Sequence, residues 1–129
     1  MNVSLDPNPT GPKWGISGYR YYTDWEGLCR VLNEQWLKTE KPSVIIHGNC
    51  IGADLMADRY AKCMGIPVEV YDPDFEAHGR RNAYLVRDRL IVDRCDLLIA
   101  FPSAEHSKGT IYTMNYVEEV GKPVIKTWI

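Results

Sequence analysis

No apolar run in these 129 residues approaches the roughly 20 needed to span a bilayer. No charge of one sign dominates either: 15 Lys and Arg face 17 Asp and Glu, a formal net charge of −2. Nothing therefore draws the whole chain toward nucleic acid or an anionic membrane surface. Cysteine is sparse and scattered. Cys29, Cys50, Cys63 and Cys95 make no C-x-x-C pair and have no histidine at metal-ligand spacing, so no zinc site and no disulfide framework is read. Such usage predicts reduced, mostly buried thiols in a cytoplasmic setting, without metal or cofactor. Residues 1–12 are polar, with Pro7, Pro9 and Pro12, and lack the basic and apolar regions of a signal peptide. They are expected to form a flexible arm or a strap over a neighbouring subunit.

What is present is 45% hydrophobic residues, enough for one core in a chain of single-domain length. The expected domain runs over residues 13–129. Short β-branched or apolar runs alternate with helical periodicities. Strands are read at Lys13 to Ser17, Val44 to Ile46, Pro67 to Val70, Asp96 to Phe101 and Val124 to Ile125. The first helix opens at Thr23-Asp24-Trp25-Glu26, where Thr and Glu have capping-box spacing, and carries the stripe Trp25, Leu28, Cys29, Leu32, Trp36. The second runs from Ala53 to about Met64, with Leu55, Met56, Tyr60 and Cys63 on its buried side. Pro73 breaks the chain after the third strand, and a third, arginine-rich helix is read from Arg81 or Asn82 to Arg94. The fourth opens at Gly109-Thr110. Repeated β-α units joined by right-handed crossovers give a parallel sheet covered on both faces. The predicted fold is α/β: a three-layer Rossmann-like domain with about five parallel strands.

In such sheets, ligands bind beyond the carboxyl ends of the strands, where strand order reverses. The loops expected at that edge are Ser17–Arg20, His47–Gly52, Tyr71–Gly79 and Pro102–Gly109. The second of these reads as an anion cradle. Gly48 and Gly52 permit unusual backbone angles and close approach, and the following helix start presents N–H groups and a positive dipole end. In the first, Ser17, Gly18 and Arg20 offer a hydroxyl, an open backbone and a planar cation suited to phosphate. Asp54 is placed to accept a sugar hydroxyl or simply to favour its helix dipole. His47 reads as an acid or base, or as a hydrogen-bonded scaffold residue. Cys50 sits in the loop with no base assigned to activate it. Arg80 and Arg81 lie at a helix start, where cations oppose the dipole; with Arg87 they read as ligand contacts or as a subunit seam. Ser107, Gly109 and Thr110 form a second small-residue turn into a helix, either another phosphate site or a plain N-cap at Thr110.

Taken together, these segments resemble the SLOG superfamily of Rossmann-like proteins, and most closely its small YspA-like branch related to YpsA. The resemblance rests on Ser17-Gly18-x-Arg20, His47-Gly48 with Gly52-Ala53-Asp54, and Gly65-Ile66-Pro67-Val68. It continues through Gly79 with the arginine helix, Asp96-Leu97-Leu98-Ile99-Ala100-Phe101-Pro102 and Gly109-Thr110, over about residues 13–125. It implies a domain that binds nucleotides or nucleotide-derived ligands, for sensing or sequestration. Relatives of the superfamily include phosphoribohydrolases of the LOG type, which cleave an N-glycosidic bond, and the DNA-processing protein DprA. The hydrolase pattern P-G-G-x-G-T-x-x-E departs here, because its glutamate position is Thr113 and Pro102-Ser103 lacks the paired glycines. Hydrolysis would need another carboxylate, such as Asp54 or Glu105. Single-strand nucleic-acid binding would use the arginine helix with Tyr19, Tyr21, Tyr22 and Tyr84 as stacking faces; the acidic net charge argues against it. The expected partners are a nucleotide-like small molecule and a second copy in a homodimer or higher homo-oligomer, with no membrane.

Overall fold

A computed structural model describes residues 6–105 and 107–128. Five strands and four helices alternate: β1 (Lys13–Gly18), α1 (Trp25–Lys38), β2 (Val44–His47), α2 (Ala53–Cys63), β3 (Val68–Val70), α3 (Phe75–Arg94), β4 (Leu97–Phe101), α4 (Lys108–Glu119) and β5 (Val124–Lys126). All pairings are parallel, in the order β3-β2-β1-β4-β5. The chain builds outward from β1 through β2 to β3. It then crosses back over α3 to lay β4 on the other side of β1. Strand order thus reverses between β1 and β4, which are in register from Trp14–Leu97 to Gly18–Phe101. The expected Rossmann-like architecture is present.

Alternation along the central strands sorts their side chains onto two faces. Trp14, Ile16, Ile45, Leu97, Ile99 and Phe101 pack with Leu28, Leu32, Trp36 and Tyr60 of α1 and α2. Ile46, Leu98 and Ala100 pack with Ile91, Val92, Met114 and Val117 of α3 and α4. On that second side α3 comes so near β1 that a Cβ at Gly15 would meet Cys95 Sγ at 3.0 Å. The sheet is sealed on both faces, as all-parallel sheets are.

Four local expectations need correction. The α1 cap is Asp24, whose carboxylate accepts the Gly27 N–H at 2.9 Å; the Thr23–Glu26 box does not form the cap. The core side of α2 is Ala53, Ala57, Tyr60 and Ala61, while Leu55 and Cys63 are exposed. Small residues face the sheet because α2 packs close to it. Helix α3 begins at Phe75, capped by Asp74, and kinks at Gly79, whose φ of 74° is not helical. Of the four thiols only Cys95 is buried, and burial pushes it up to about 11. Near the start of the described chain, Lys41 Nζ donates to the Asp6 carbonyl at 2.9 Å and Asn8 Nδ2 to the Lys41 carbonyl at 2.7 Å. No helix among the described residues is long and apolar enough to cross a membrane.

Candidate functional site

A cleft of about 170 Å³ opens at the carboxyl ends of β1 and β4, at the point where strand order reverses. Residues 17–20, at the end of β1 and just beyond it, form one wall, and Ser107, Gly109, Thr110 and Thr113 of α4 and its approach form another. Asp54 from α2, with Arg87, Asp88 and Ile91 from α3, completes the lining, and Cys50 reaches it from the β2–α2 loop. Of the residues singled out in the sequence, Ser17, Gly18, Arg20, Asp54, Arg87, Ser107, Gly109 and Thr110 meet here. His47, Gly48, Gly52, Arg80 and Arg81 do not line it.

The β2–α2 loop explains several of these placements. Three of its N–H groups, at Gly48, Asn49 and Cys50, are given to protein acceptors. Gly48 and Cys50 donate to Asp54 Oδ2 at 3.0 and 3.3 Å, and Asn49 donates to His47 Nδ1 at 2.9 Å. The loop therefore holds an anion of its own, the Asp54 carboxylate. The two glycines serve packing. A Cβ at Gly48 would lie 2.5 Å from Arg87 Nη1, and one at Gly52, where φ is 88°, would lie 2.4 Å from the Tyr19 carbonyl oxygen. Asn49 adopts a left-handed φ of 60°, which its short polar side chain tolerates. His47 is fully buried, and its Nε2 lies 2.7 Å from Asp58 Oδ2. Asp58 also receives Lys62 at 2.6 Å. Burial raises the Asp58 carboxyl, but the hydrogen bonds from Lys62 and His47 outweigh it and hold the group low. Both ring nitrogens of His47 are thus engaged within the protein.

The electrostatics of the cleft are divided. Asp54 and Asp88 are both buried carboxylates. Burial pushes Asp54 up to about 6, against the lowering effects of His47, the two loop N–H groups and Arg87. Burial likewise raises Asp88, opposed by its neighbour Arg87. Arg87 ties these parts together: its Nε donates to Asp88 Oδ1 at 2.8 Å and its Nη1 to the Gly48 carbonyl at 2.6 Å. The Cys50 thiol, 3.6 Å from Arg87 Nη2, is pushed up by burial and the nearby Asp54. It is not an activated nucleophile.

The opposite wall has the other polarity. Helices α1 and α3 begin on capping aspartates, and α2 holds Asp54 in its first turn. Helix α4 has no side-chain bond at its N-cap and no acidic residue in its first turn. The Ser107 hydroxyl instead accepts the Ser103 N–H at 2.6 Å, which fixes the approach loop. Thr110 sits inside the first turn and is not the cap. Gly109 faces open space: a methyl group added there would meet no atom within 4 Å. The positive end of α4 therefore points into the cleft wall without a carboxylate of its own.

The arginines of α3 disperse. Arg80 and Arg81 are exposed beside the Gly79 kink, Arg89 donates to the Tyr112 hydroxyl at 2.7 Å, and Arg94 makes a two-pronged pair with Glu69. Tyr22 is buried against Phe101, and Tyr84 packs on Phe75. On α3 itself the Arg87 guanidinium lies 5.5 Å over the Tyr84 ring, whereas Tyr22 is turned into the core. At the hydrolase glutamate position, Thr113 lines the cleft and donates to the Gly109 carbonyl at 2.8 Å. Glu105 is exposed and does not line it. Sequence reasoning missed Ile16, Asp88, Ile91 and Thr113 as lining residues, whereas Tyr19 and Cys50 lie in loops expected at this edge. Asp88 reads as one charge on a solvated helix face, and only the packing of α3 across β1 turns it inward.

The family described as "YspA, cpYpsA-related SLOG family" matches residues 15–78. The Gene 61 protein of Mycobacterium phage D29 is 30% identical over 115 residues, 85% of this chain and 91% of that protein. The chain belongs to the YspA, cpYpsA-related SLOG family. The match to that SLOG family runs from Gly15 within β1 through the first turn of α3, and so includes the residues 17–20 wall and the Asp54 loop. Arg87, Asp88 and the α4 wall lie beyond it, and the fold brings them to the same cleft. No group of three or more metal-ligating side chains occurs among the described residues.

Proposed function

We propose that the chain binds a nucleotide or nucleotide-derived ligand in the β1–β4 cleft, for sensing or sequestration. The observation that carries this reading is the opposed polarity of the two walls. Buried carboxylates at Asp54 and Asp88 suit hydroxyl donors, as on a sugar. The α4 start, with Ser107, Gly109 and Thr110, suits a phosphate, because its N–H groups and dipole have no carboxylate in the first turn. Arg20, exposed at the rim, adds charge. A ligand with hydroxyls at one end and an anion at the other satisfies both walls. The phosphate belongs at α4 rather than at Gly48–Gly52, whose loop already encloses Asp54.

Family membership supports the ligand class. Turnover is not part of the proposal: Thr113 replaces the hydrolase glutamate, and Asp88 is held by Arg87. The test is calorimetry and thermal melting with the four nucleoside 5′-monophosphates and ribose 5-phosphate, with chromatography of the mixture for free base. A ligand at about one hundred times its Kd should raise stability by about 2.7 kcal/mol. If none of these compounds binds or shifts the melting temperature at millimolar concentration, the proposal fails. Release of free base would move the reading to an N-glycosidic hydrolase.

A further inference from the structure

The cleft is small. Its volume of about 170 Å³ lies below the ≈300–1,000 Å³ of sites that enclose a whole small molecule. Beside it lies a groove of about 220 Å³, lined by Tyr19, Tyr21, Tyr22 and Trp128 with Asp24 and Arg30. Tyr19 lines both, so the two cavities share a wall. Separately each is too small; joined, they reach the range for one ligand.

The groove has the chemistry of a stacking platform. Tyr21 is 60% exposed and Trp128 is 53% exposed. Tyr19 and Tyr21 meet edge to face with ring centroids 5.5 Å apart, and the Arg20 guanidinium lies 5.3 Å over the Tyr21 ring. Trp128 is delivered by the chain leaving β5, anchored where the Thr127 N–H bonds the Ala100 carbonyl at 2.8 Å. Two large aromatic side chains left largely in water in a groove adjoining a polar cleft mark a surface that takes a flat apolar group. Asp24 and Arg30 supply an acceptor and a donor at its edge; Asp24 spends Oδ1 on the Gly27 N–H.

We infer that this groove is the base-binding half of the site. The nucleobase lies among Tyr19, Tyr21 and Trp128 while the sugar phosphate occupies the β1–β4 cleft. The inference rests on the reading of the cleft given above and extends it to an element outside the matched family segment, the residues after β5. Base stacking on an aromatic face is sequence-tolerant, so any of the four bases is held, and Asp24 and Arg30 set the preference among them.

The test separates the two halves. Affinities of the full chain are measured by calorimetry for ribose 5-phosphate, the nucleoside monophosphates and the matching nucleosides. They are then repeated with Trp128→Ala and Tyr21→Ala, two exposed positions where substitution leaves folding nearly unchanged. The expected result is a monophosphate bound about tenfold or more tighter than ribose 5-phosphate, equivalent to about 1.4 kcal/mol. That advantage is lost in both variants, while in Trp128→Ala, which leaves Arg20 and its Tyr21 support in place, ribose 5-phosphate affinity stays put. Equal affinity for ribose 5-phosphate and the monophosphates in the native chain overturns the groove and leaves the cleft standing. A nucleoside bound as tightly as its monophosphate overturns the phosphate site and keeps the groove. Absence of binding by every compound overturns both.

Discussion

Replacing Asp54 by asparagine should stabilise the protein at neutral pH and have no such effect in acid. The Asp54 side chain is buried, its Oδ2 takes the N–H groups of Gly48 and Cys50, and burial raises its carboxyl from 3.8 to about 6. Between those values the folded chain still holds a proton that the unfolded chain has released. The contribution of this group to stability is therefore full below the lower value, falls as pH rises through the window, and is lowest above the upper one. The shift corresponds to roughly 3 kcal/mol of burial cost at neutral pH. Asparagine keeps a carbonyl oxygen for the two N–H groups and carries no charge. Asp54→Asn should thus exceed the native chain by up to about 3 kcal/mol, or about 10 °C in Tm, at about pH 7. The difference should close at about pH 4 and below. Urea unfolding followed by tryptophan fluorescence across this range reads the change as a midpoint shift at constant m. A variant less stable than the native chain at neutral pH, or a difference that does not vary with pH, refutes the reasoning. Acid destabilisation from Asp58 and Glu69, both held low by hydrogen-bonded cations, is common to both proteins and cancels.

Gly109→Ala enters open space within the first turn of α4, so melting temperature should hold or rise by up to about 1 kcal/mol equivalent, while monophosphate affinity in calorimetry falls about tenfold. Unchanged affinity would remove the phosphate from α4. Arg87→Met leaves Asp88 buried without its cation and the Gly48 carbonyl without its donor, and should cost about 3–5 kcal/mol in urea unfolding. A loss under about 1 kcal/mol would show that Asp88 finds water or another partner. Arg80→Ala with Arg81→Ala should change stability by less than about 0.5 kcal/mol and leave ligand affinity as it was, since both side chains are exposed and outside the cleft; a weakened ligand would move the site to the α3 kink.

The sheet was legible because each strand is a compact apolar run, and a buried parallel strand needs little else. The run Leu97–Phe101 is buried along its whole length. Helix faces were harder. Leu55 draws the eye to the wrong side of α2, where alanines face the sheet because only small side chains leave room there. The first turn of α3 was hidden by Pro73 before it and Gly79 within it, although Asp74 followed by Phe75 and Glu76 has the marks of a capped start. In the site, the loops at the carboxyl edge could be placed from the β-α alternation of a parallel sheet alone. The fate of their N–H groups could not. That Gly48 and Cys50 serve Asp54 depends on a carboxylate folding back four to six residues, and the local pattern is the same as for a loop awaiting phosphate. Arg87 reads as a ligand contact or a seam residue and Asp88 as a surface charge, because adjacent residues on a helix diverge; here Arg87 Nε still reaches its neighbour, and both face inward.

The β2–α2 loop carries its own counter-ion, and on the proposed reading of the cleft this sets the tempo of recognition. With Asp54 bonded to two backbone groups, Arg87 to the Gly48 carbonyl and Gly52 lying against the backbone of Tyr19 and Arg20, the floor of the cleft is braced before any ligand arrives. The exposed side chains are those of Arg20 at the rim and of Tyr21 and Trp128 in the neighbouring groove. The entropy lost on association therefore falls on a few side chains and not on the backbone of the loop. Encounter is then a matter of side chains closing over a fixed seat, so that differences in affinity among ligands should be written in how slowly they leave rather than in how fast they enter.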